Sequence, residues 1–269
     1  MSKLTKINDP CLGIGTFLLE GSDTYTSVSS ALKTGYRLID TAAVYQNERE
    51  VGKAIIDSNI NRESILVSTK LYAKKIGYDV AIEECKKSLE LLGLSYIDIY
   101  FIHWMPRRYE DLLDTWRGLE YLYEHGYCKA IGICNITLYY LDKLLKDAKT
   151  APMYCQIEFH PFLQQELFLE YCKSNNIKVI GYGLFAKGLV FKNEALKKLA
   201  EVNQTTIANL VLSFGISKGV IPLVKSKDPV RVQANYCNNF ELSAELLLEM
   251  QNLNDGVRVY RDPENNPYV

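Results

Sequence analysis

Short apolar runs alternate with longer stretches of helical periodicity along the whole chain. The longer stretches repeat apolar residues every three or four positions, as in Leu112, Trp116 and Leu119. The short runs are typical of buried strands, and their even spacing predicts strands joined by helical crossovers, which pair in parallel. The eight predicted strands are Leu12–Thr16, Arg37–Asp40, Ile65–Lys70, Ile97–His103, Lys129–Cys134, Met153–Ile157, Ile177–Gly181 and Val220–Val224.

This alternation predicts an α/β fold. No linker, low-complexity tract or composition break divides the chain, so we expect a single domain over residues 1–269. A closed (β/α)8 TIM barrel is the economical arrangement, and an open doubly wound sheet is the alternative. Candidate helix starts are Thr24, Asp79 and Thr137, and candidate helix ends are Gly35, Gly93 and Gly126.

Composition and charge are typical of a globular protein without a nucleic-acid or membrane partner. The 269 residues are 48% apolar and 23% charged, with a net charge of −1. No basic stripe indicates a nucleic-acid partner, and no acidic tail indicates a disordered arm for a protein partner. The first residues lack the apolar segment of a secretory signal, and no apolar run approaches the roughly 20 residues that span a bilayer. The seven scattered cysteines, Cys237 among them, include no C-x-x-C pair and favour reduced thiols. We therefore expect a cytoplasmic protein without a membrane partner.

Four ionisable residues indicate a site. Asp40, Lys70 and His103 each end an apolar run, and Tyr45 follows Asp40 by five residues. Active sites of barrels lie at the C-terminal ends of the strands, so these side chains are expected to meet there. A structural ion pair between Asp40 and Lys70 is the alternative interpretation of those two residues alone.

The expected chemistry is proton transfer. A buried lysine needs a partner, and Asp40 is the natural one for Lys70. A neighbouring ammonium and a nearby helix N-terminus favour the phenolate, so we expect the pKa of Tyr45 to be lowered and Tyr45 to exchange a proton at neutral pH. His103 could orient a carbonyl, although alone it would be an ordinary hydrogen-bonded core histidine.

Two later segments fit phosphate groups. The glycine-rich stretch 181–188 could cradle a diphosphate or be a flexible loop, and its sequence leaves both open. The stretch 224–231 carries Lys225, Ser226 and Arg231 and suits a phosphomonoester, with a solvated basic turn as the alternative. By contrast, Gly13 and Gly15 lack the third glycine of a dinucleotide fingerprint, and the three histidines lack metal-site spacing, so no metal is expected.

Several motifs, in order over nearly the whole chain, resemble the aldo-keto reductases. They are Leu12–Thr16, Gly35–Ala42, Tyr45–Glu48, Thr69–Lys70, Asp98–Trp104, Ile131–Asn135, Cys155–Pro161 and Val224–Ser226. The resemblance implies a (β/α)8 barrel that reduces aldehydes and ketones with NADPH. It implies that Tyr45 is the general acid, that Lys70 and Asp40 tune its pKa, and that His103 orients the carbonyl.

The resemblance also implies a cofactor site and a substrate pocket. Cys134, Asn135 and Gln156 correspond to the residues that hold the nicotinamide carboxamide, and Tyr182 to the ring that stacks under the nicotinamide. Gly183, Leu184 and Phe185 correspond to the diphosphate loop. Lys225, Ser226 and Arg231 correspond to the 2′-phosphate site, and Asn235 to an adenine contact. Phe17 and Trp104 resemble the aromatic pocket walls, although Trp104 could equally pack in the core.

The chain departs from the family pattern at several positions. Cys134 replaces the usual serine, which weakens one hydrogen bond to the carboxamide. Ala234 replaces a common carboxylate, and Gly183-Leu184 replaces the usual Ser-Pro. None of these changes affects the four ionisable residues.

We therefore predict an NADPH-dependent carbonyl reductase that acts as a monomer on a small carbonyl substrate. Two other classes remain as alternatives: a lyase that forms a Schiff base on Lys70, and a cofactor-sensing binding module with negligible turnover. The complete set of four residues argues against both alternatives.

Overall fold

The computed structural model describes residues 11–236 and 240–265, and in this part of the chain eight parallel strands form a closed barrel. Each strand pairs with the next along the chain, and β1 pairs with β8. The closed barrel confirms the predicted (β/α)8 class and excludes the open sheet. The strands are β1 Gly13–Gly15, β2 Leu38–Asp40, β3 Leu66–Leu71, β4 Ile97–Ile102, β5 Cys128–Cys134, β6 Tyr154–Glu158, β7 Lys178–Tyr182 and β8 Val220–Val224.

Helices connect the strands and cover the outside of the barrel. Between β7 and β8 the chain forms two helices, and two more follow β8. The helices are α1 Gly21–Thr34, α2 Glu48–Asp57, α3 Tyr78–Leu92, α4 Tyr109–Glu124, α5 Leu138–Asp147, α6 Glu166–Ser174, α7 Glu194–Val202, α8 Ile207–Ser217, α9 Pro229–Tyr236 and α10 Ala244–Gln251. No helix in the described residues is long and apolar enough to cross a bilayer.

The predicted strands match the observed ones to within one residue at either end, whereas two of the predicted helix starts were wrong. Helix α1 begins at Gly21, so Thr24 lies inside its first turn, where it is buried. Helix α3 begins at Tyr78, and Asp79 is an acidic residue of its first turn rather than its cap. Thr137 does precede α5, as predicted. The errors arise because serine, threonine and aspartate are common both at caps and in first turns.

Two apolar layers hold the barrel together. One fills its interior and is built from alternate residues of the strands, such as Ile99 and Phe101 of β4. The other lies between strands and helices, with Trp116 the largest fully buried side chain. Cys11 is exposed, and the remaining cysteines of the described residues are buried free thiols. Cys237 lies outside the described residues.

Gly52 sets the close contact between α2 and α3. A Cβ at this position would lie 1.9 Å from the carbonyl oxygen of Leu92, the last residue of α3. That neighbour is backbone and cannot swing aside as a flexible side chain would. Glycine in a helix interior normally costs about 1 kcal/mol relative to alanine, so the close approach explains its presence here.

We predict that Gly52→Ala destabilises the protein by about 2–3 kcal/mol, because the helices must separate to admit the methyl group. The measurement is the midpoint of thermal or urea unfolding followed by circular dichroism. Lys53→Ala, at an exposed position of the same helix, is the control and should change stability by less than about 0.5 kcal/mol. An unfolding midpoint of Gly52→Ala at or above that of the wild type would contradict the packing argument.

Candidate active site

The structure brings the four predicted ionisable residues together at the C-terminal ends of the strands. Asp40 is the last residue of β2 and Lys70 the penultimate residue of β3. His103 directly follows β4, and Tyr45 ends a single helical turn, Ala43–Tyr45, after β2. The neighbouring positions of β2, β3 and β4 in the barrel are what make these contacts possible.

A buried ion pair forms the floor of the site. Lys70 has no solvent exposure, and its Nζ donates to Asp40 Oδ2 at 2.7 Å and to the carbonyl oxygen of Thr41 at 2.6 Å. Two acceptors stabilise an ammonium that water does not reach. Removing one partner of such a pair typically costs about 3–5 kcal/mol, because the other charge stays buried.

The second oxygen of Asp40 holds two further side chains. Asp40 Oδ1 accepts hydrogen bonds from Ser68 Oγ at 2.7 Å and from Gln156 Nε2 at 2.9 Å. Gln156, from the opposite side of the barrel, is thereby oriented by the same carboxylate that holds Lys70. Ser68 was missed in the sequence, although its position two residues before Lys70 places it on the same face of β3.

Aromatic rings surround the Tyr45 side chain. The Phe17 ring lies 5.1 Å from it and the His103 ring 5.7 Å, the latter edge-on, while Lys70 Nζ lies 5.3 Å from its centroid. Phe17 is nearly half exposed, as a pocket wall at the barrel mouth would be. Trp104 follows His103 and is partly buried.

Asn47 fixes the loop that carries Tyr45. Its Oδ1 accepts a bond from the Thr41 hydroxyl, and its Nδ2 donates to the carbonyl oxygens of Thr16 and Leu19. Asn47 is buried, and its bonds to Thr16 and Leu19 join the loops that follow β1 and β2. No role was predicted for Asn47, although its place within the Tyr45–Glu48 motif was a usable signal.

The expected lowering of the Tyr45 pKa was wrong. Burial raises the pKa of Tyr45 well above its usual value of 10.0, and the negative charge of Asp40 raises it further. Lys70 does not reverse this, because its ammonium is directed to Asp40 and Thr41. The phenol is therefore protonated at neutral pH, which is the state that a proton donor needs.

His103 is a neutral imidazole at neutral pH. Burial lowers its pKa well below 6.5, and the positive charge of Lys70 lowers it further. A neutral imidazole keeps one N–H donor and one acceptor. It can thus orient a polar oxygen beside Tyr45 without adding a second positive charge to the site.

A hydrogen-bond chain connects His103 with the far side of the barrel. Asn135 Nδ2 donates to the His103 carbonyl oxygen at 3.1 Å, and its Oδ1 accepts from the Tyr182 hydroxyl at 2.7 Å. Each amide atom has one more bonding position, so a ligand carboxamide can share Asn135. Gln156 donates to Asp40 through Nε2, and its Oε1 is an acceptor that this bond does not use.

The loop after β7 offers backbone groups rather than side chains. Leu184 is buried and packs toward Gly215, so only its backbone can contact a phosphate. The φ angles of Gly183 and Lys187 are positive, at 74° and 52°, and Phe185 packs on the Phe191 ring. Successive backbone N–H groups in such a turn form an anion-binding concavity, as the diphosphate prediction requires.

A second set of anion donors follows β8. Lys225 and Arg231 are exposed, and Arg231 pairs loosely with Asp228 at 3.5 Å. Exposed pairs of this kind are weak, so Arg231 can exchange Asp228 for a phosphate. Ser226 caps the turn through bonds with Asp228, and Asn235 lies buried in α9. Two cations beside a hydroxyl and a helix N-terminus are a donor set suited to a phosphomonoester.

The side chains of Cys134 and His160 are both buried near the site. The Cys134 thiol is fully buried, and burial raises its pKa, so it is a neutral and weak hydrogen-bond donor at most. His160 is buried, and its Nε2 bonds Glu158 Oε1 at 3.0 Å.

Fold and site together define a barrel enzyme with a protonated tyrosine, a neutral histidine and a buried lysine–aspartate pair at its mouth. The sequence model of the Aldo/keto reductase family matches residues 11–255. The chain belongs to this family. Membership confirms the predicted class of enzyme, an NADP-dependent oxidoreductase acting on carbonyl groups.

Individual relatives agree over nearly the full chain. The glyoxal reductase of Bacillus subtilis (strain 168) is 38% identical over 257 residues, which cover 95% of this chain and 92% of that protein. An aldo-keto reductase from a Medee basin deep-sea metagenome library has a TM-score of 0.93 at 39% identity and 96% coverage of both chains. A Bombyx mori aldo-keto reductase in complex with NADP has a TM-score of 0.85 at 29% identity, covering 93% of this chain and 91% of that one.

We predict a flat pH profile for carbonyl reduction between about pH 7 and pH 9. The raised pKa keeps Tyr45 protonated past pH 10, and the lowered pKa keeps His103 neutral above pH 6.5. The measurement is kcat/KM for an aldehyde at saturating NADPH, with NADPH affinity determined at each pH as the control. A decline centred between pH 7 and pH 9 at constant NADPH affinity would show that Tyr45 ionises early, contrary to the structure.

Proposed function

We propose that this protein reduces small aldehydes and ketones to alcohols with NADPH, and that Tyr45 protonates the carbonyl oxygen. The observation that carries the proposal is a protonated Tyr45 placed between the neutral His103 ring and the buried Lys70–Asp40 pair. A proton donor, an orienting dipole and a fixed positive charge are the groups that carbonyl reduction requires.

The donor set around β5, β7 and β8 supports the cofactor. Tyr182 would stack under the nicotinamide, and the carboxamide would bind Asn135 and Gln156, with Cys134 nearby. The backbone of Gly183, Leu184 and Phe185 would bind the diphosphate. Lys225, Ser226 and Arg231 would hold the 2′-phosphate, and Asn235 the adenine. Bound NADPH would supply the hydride, which is chemistry that the protein itself lacks.

The residues of the chain then move one proton. His103 donates a hydrogen bond to the substrate oxygen and aligns it with the Tyr45 hydroxyl. As negative charge grows on that oxygen, Tyr45 O–H gives up its proton to it, since an alkoxide is a much stronger base than a phenolate. The positive charge of Lys70 stabilises the resulting phenolate, and Asp40 holds Lys70 in place.

The substrate is proposed to be a small carbonyl compound. Phe17 lies against Tyr45 at the barrel mouth, and Trp104 begins the loop after β4, so both are placed to wall a compact pocket. A relative named glyoxal reductase agrees with a small substrate. We further propose that residues 1–269 form one domain and that the protein acts as a monomer.

The geometry opposes a Schiff base on Lys70. A lysine nucleophile must be neutral and accessible, whereas Lys70 has no exposure and is held between Asp40 and the Thr41 carbonyl oxygen. The binding-module alternative differs from our proposal only in turnover, so the next experiment also tests it.

We predict that Tyr45→Phe lowers kcat/KM for aldehyde reduction by about 100-fold or more, because the proton donor is lost. The dissociation constant of NADPH, measured by fluorescence titration, should change less than about twofold. Tyr171→Phe, which removes a hydroxyl bonded to Asp142 far from the site, is the matched control and should retain activity. Undiminished turnover in Tyr45→Phe would sink the mechanism, and a wild type that binds NADPH but reduces no aldehyde would favour the binding module.

We also predict that Lys225→Ala and Arg231→Ala each weaken NADPH binding by about tenfold and leave NADH binding nearly unchanged. A charge-assisted hydrogen bond to the 2′-phosphate is worth about 1.5–3 kcal/mol, and NADH lacks that phosphate. Lys227→Ala is the control, since Lys227 lies in the same turn but faces Asp23. Equal losses for NADPH and NADH would place the 2′-phosphate elsewhere.

A further inference from the structure

Glu158 is a buried carboxylate that the proposed reaction does not use. It ends β6 with a fully buried side chain. Its Oε1 accepts hydrogen bonds from the backbone N–H groups of Val259 at 2.7 Å and Tyr260 at 3.3 Å, and from His160 Nε2 at 3.0 Å. A carboxylate is thus kept out of water by bonds to a segment about 100 residues further along the chain.

Arg258 strengthens the same connection. Its guanidinium lies 3.9 Å from Glu158 Oε2 and donates to Gln165 Oε1 at 3.3 Å. Gln165 Nε2 in turn donates to the backbone carbonyl oxygen of Glu158 at 2.5 Å. We call residues 258–262 the C-terminal strap. The N–H groups of Val259 and Tyr260 and the guanidinium of Arg258 all face Glu158.

The strap delivers the Tyr260 ring to the cofactor side of the barrel. The ring meets Tyr182 edge-on with centroids 5.3 Å apart, and Lys187 Nζ lies 4.7 Å from the Tyr260 centroid. A Cβ at Gly183 would lie 2.6 Å from the Tyr260 ring. Tyr260 therefore contacts both ends of the 183–187 loop and the tyrosine that precedes it.

Tyr260 is also connected to the catalytic end of the barrel through Tyr182. The Tyr182 hydroxyl donates to Asn135 Oδ1, and Asn135 Nδ2 donates to the carbonyl oxygen of His103. The strap thus belongs to the same end of the barrel as the catalytic residues, although it is remote from them in sequence.

We propose that Glu158 is a positioning residue: by holding the C-terminal strap, it keeps Tyr260 braced against Tyr182 and the loop after β7, and so preorganises the cofactor site. This inference rests on the proposed function in assigning Tyr182 and that loop to NADPH. The Glu158 side chain is fully buried and would not contact substrate or cofactor, so its effect would pass through Tyr260. Fixing a loop before binding removes an ordering penalty from the affinity of its ligand.

The first test needs no ligand. Hydrogen–deuterium exchange of the free protein is compared for wild type, Glu158→Gln and Tyr260→Ala. We expect the amides of Val259 and Tyr260 to exchange at least about tenfold faster in Glu158→Gln, since their acceptor is weakened. We expect the 183–188 peptide to exchange faster in both variants. If the strap amides exchange faster while exchange of the 183–188 peptide is unchanged, the strap does not hold the loop after β7 in place, and the proposal is overturned.

The second test measures NADPH affinity by fluorescence titration. Glu158→Gln and Tyr260→Ala should each raise the dissociation constant about five- to tenfold, and the double variant should be no weaker than the worse single variant, since both act through one contact. The aldehyde KM at saturating NADPH should stay within about twofold. Additive losses, or unchanged or tighter NADPH binding in Tyr260→Ala, would overturn the proposal.

Two variants serve as controls. Tyr260→Phe keeps the ring and should match the wild type in both tests. Asp98→Asn removes another buried carboxylate, one paired with Arg62 at 2.6 Å at the start of β4, and should alter stability without altering exchange at 183–188. If the wild type itself binds no NADPH, the proposed function fails, and the exchange data on the free protein still decide whether the strap braces the loop.

Discussion

The buried ion pair of Lys70 and Asp40 is the constraint on which the rest of the site depends. An ammonium without solvent exposure persists only where acceptors surround it, and the last residue of β2 and the residue that follows it supply both acceptors. This requirement fixes the ends of β2 and β3 relative to each other. Tyr45, five residues beyond Asp40, has its ring centroid 5.3 Å from the Lys70 ammonium, which does not ionise it in the resting protein. In the proposed mechanism the same charge stabilises the phenolate once the proton has left.

The same carboxylate unites the two halves of the barrel. Asp40 holds Gln156 of β6 as well as Lys70, while Asn135 connects the end of β4 with Tyr182 of β7. Because the backbone N–H of Asn135 donates to the Gln156 carbonyl oxygen, the Lys70–Asp40 pair and the residues proposed to hold the cofactor share one hydrogen-bonded framework. Preorganisation of this kind aligns reacting groups before the reaction begins, and it explains why buried polar residues occur at this end of a barrel whose interior is otherwise apolar.

Much of this arrangement was accessible from local sequence patterns. The positions of Asp40, Lys70 and His103 at the ends of apolar runs predicted where these side chains would meet. The pKa of Tyr45 was not accessible. Whether the pKa of Tyr45 is raised or lowered depends on whether burial and the negative charge of Asp40 outweigh the positive charge of Lys70. Burial is a property of the assembled barrel. The predicted start of α1 was wrong because one cap residue is a short signal that also occurs inside helices.

The sequence by itself determined the repeating strand–helix order, the family and the four ionisable residues, because each is encoded by neighbouring residues or by recognisable motifs. Only the tertiary structure decided which distant groups pair. Glu158 and the backbone of Tyr260 lie 102 residues apart, and no periodicity connects them. Their contact follows from closure of the barrel, which brings the C-terminal segment against the end of β6, and backbone N–H groups carry no residue-specific signal that a sequence could reveal.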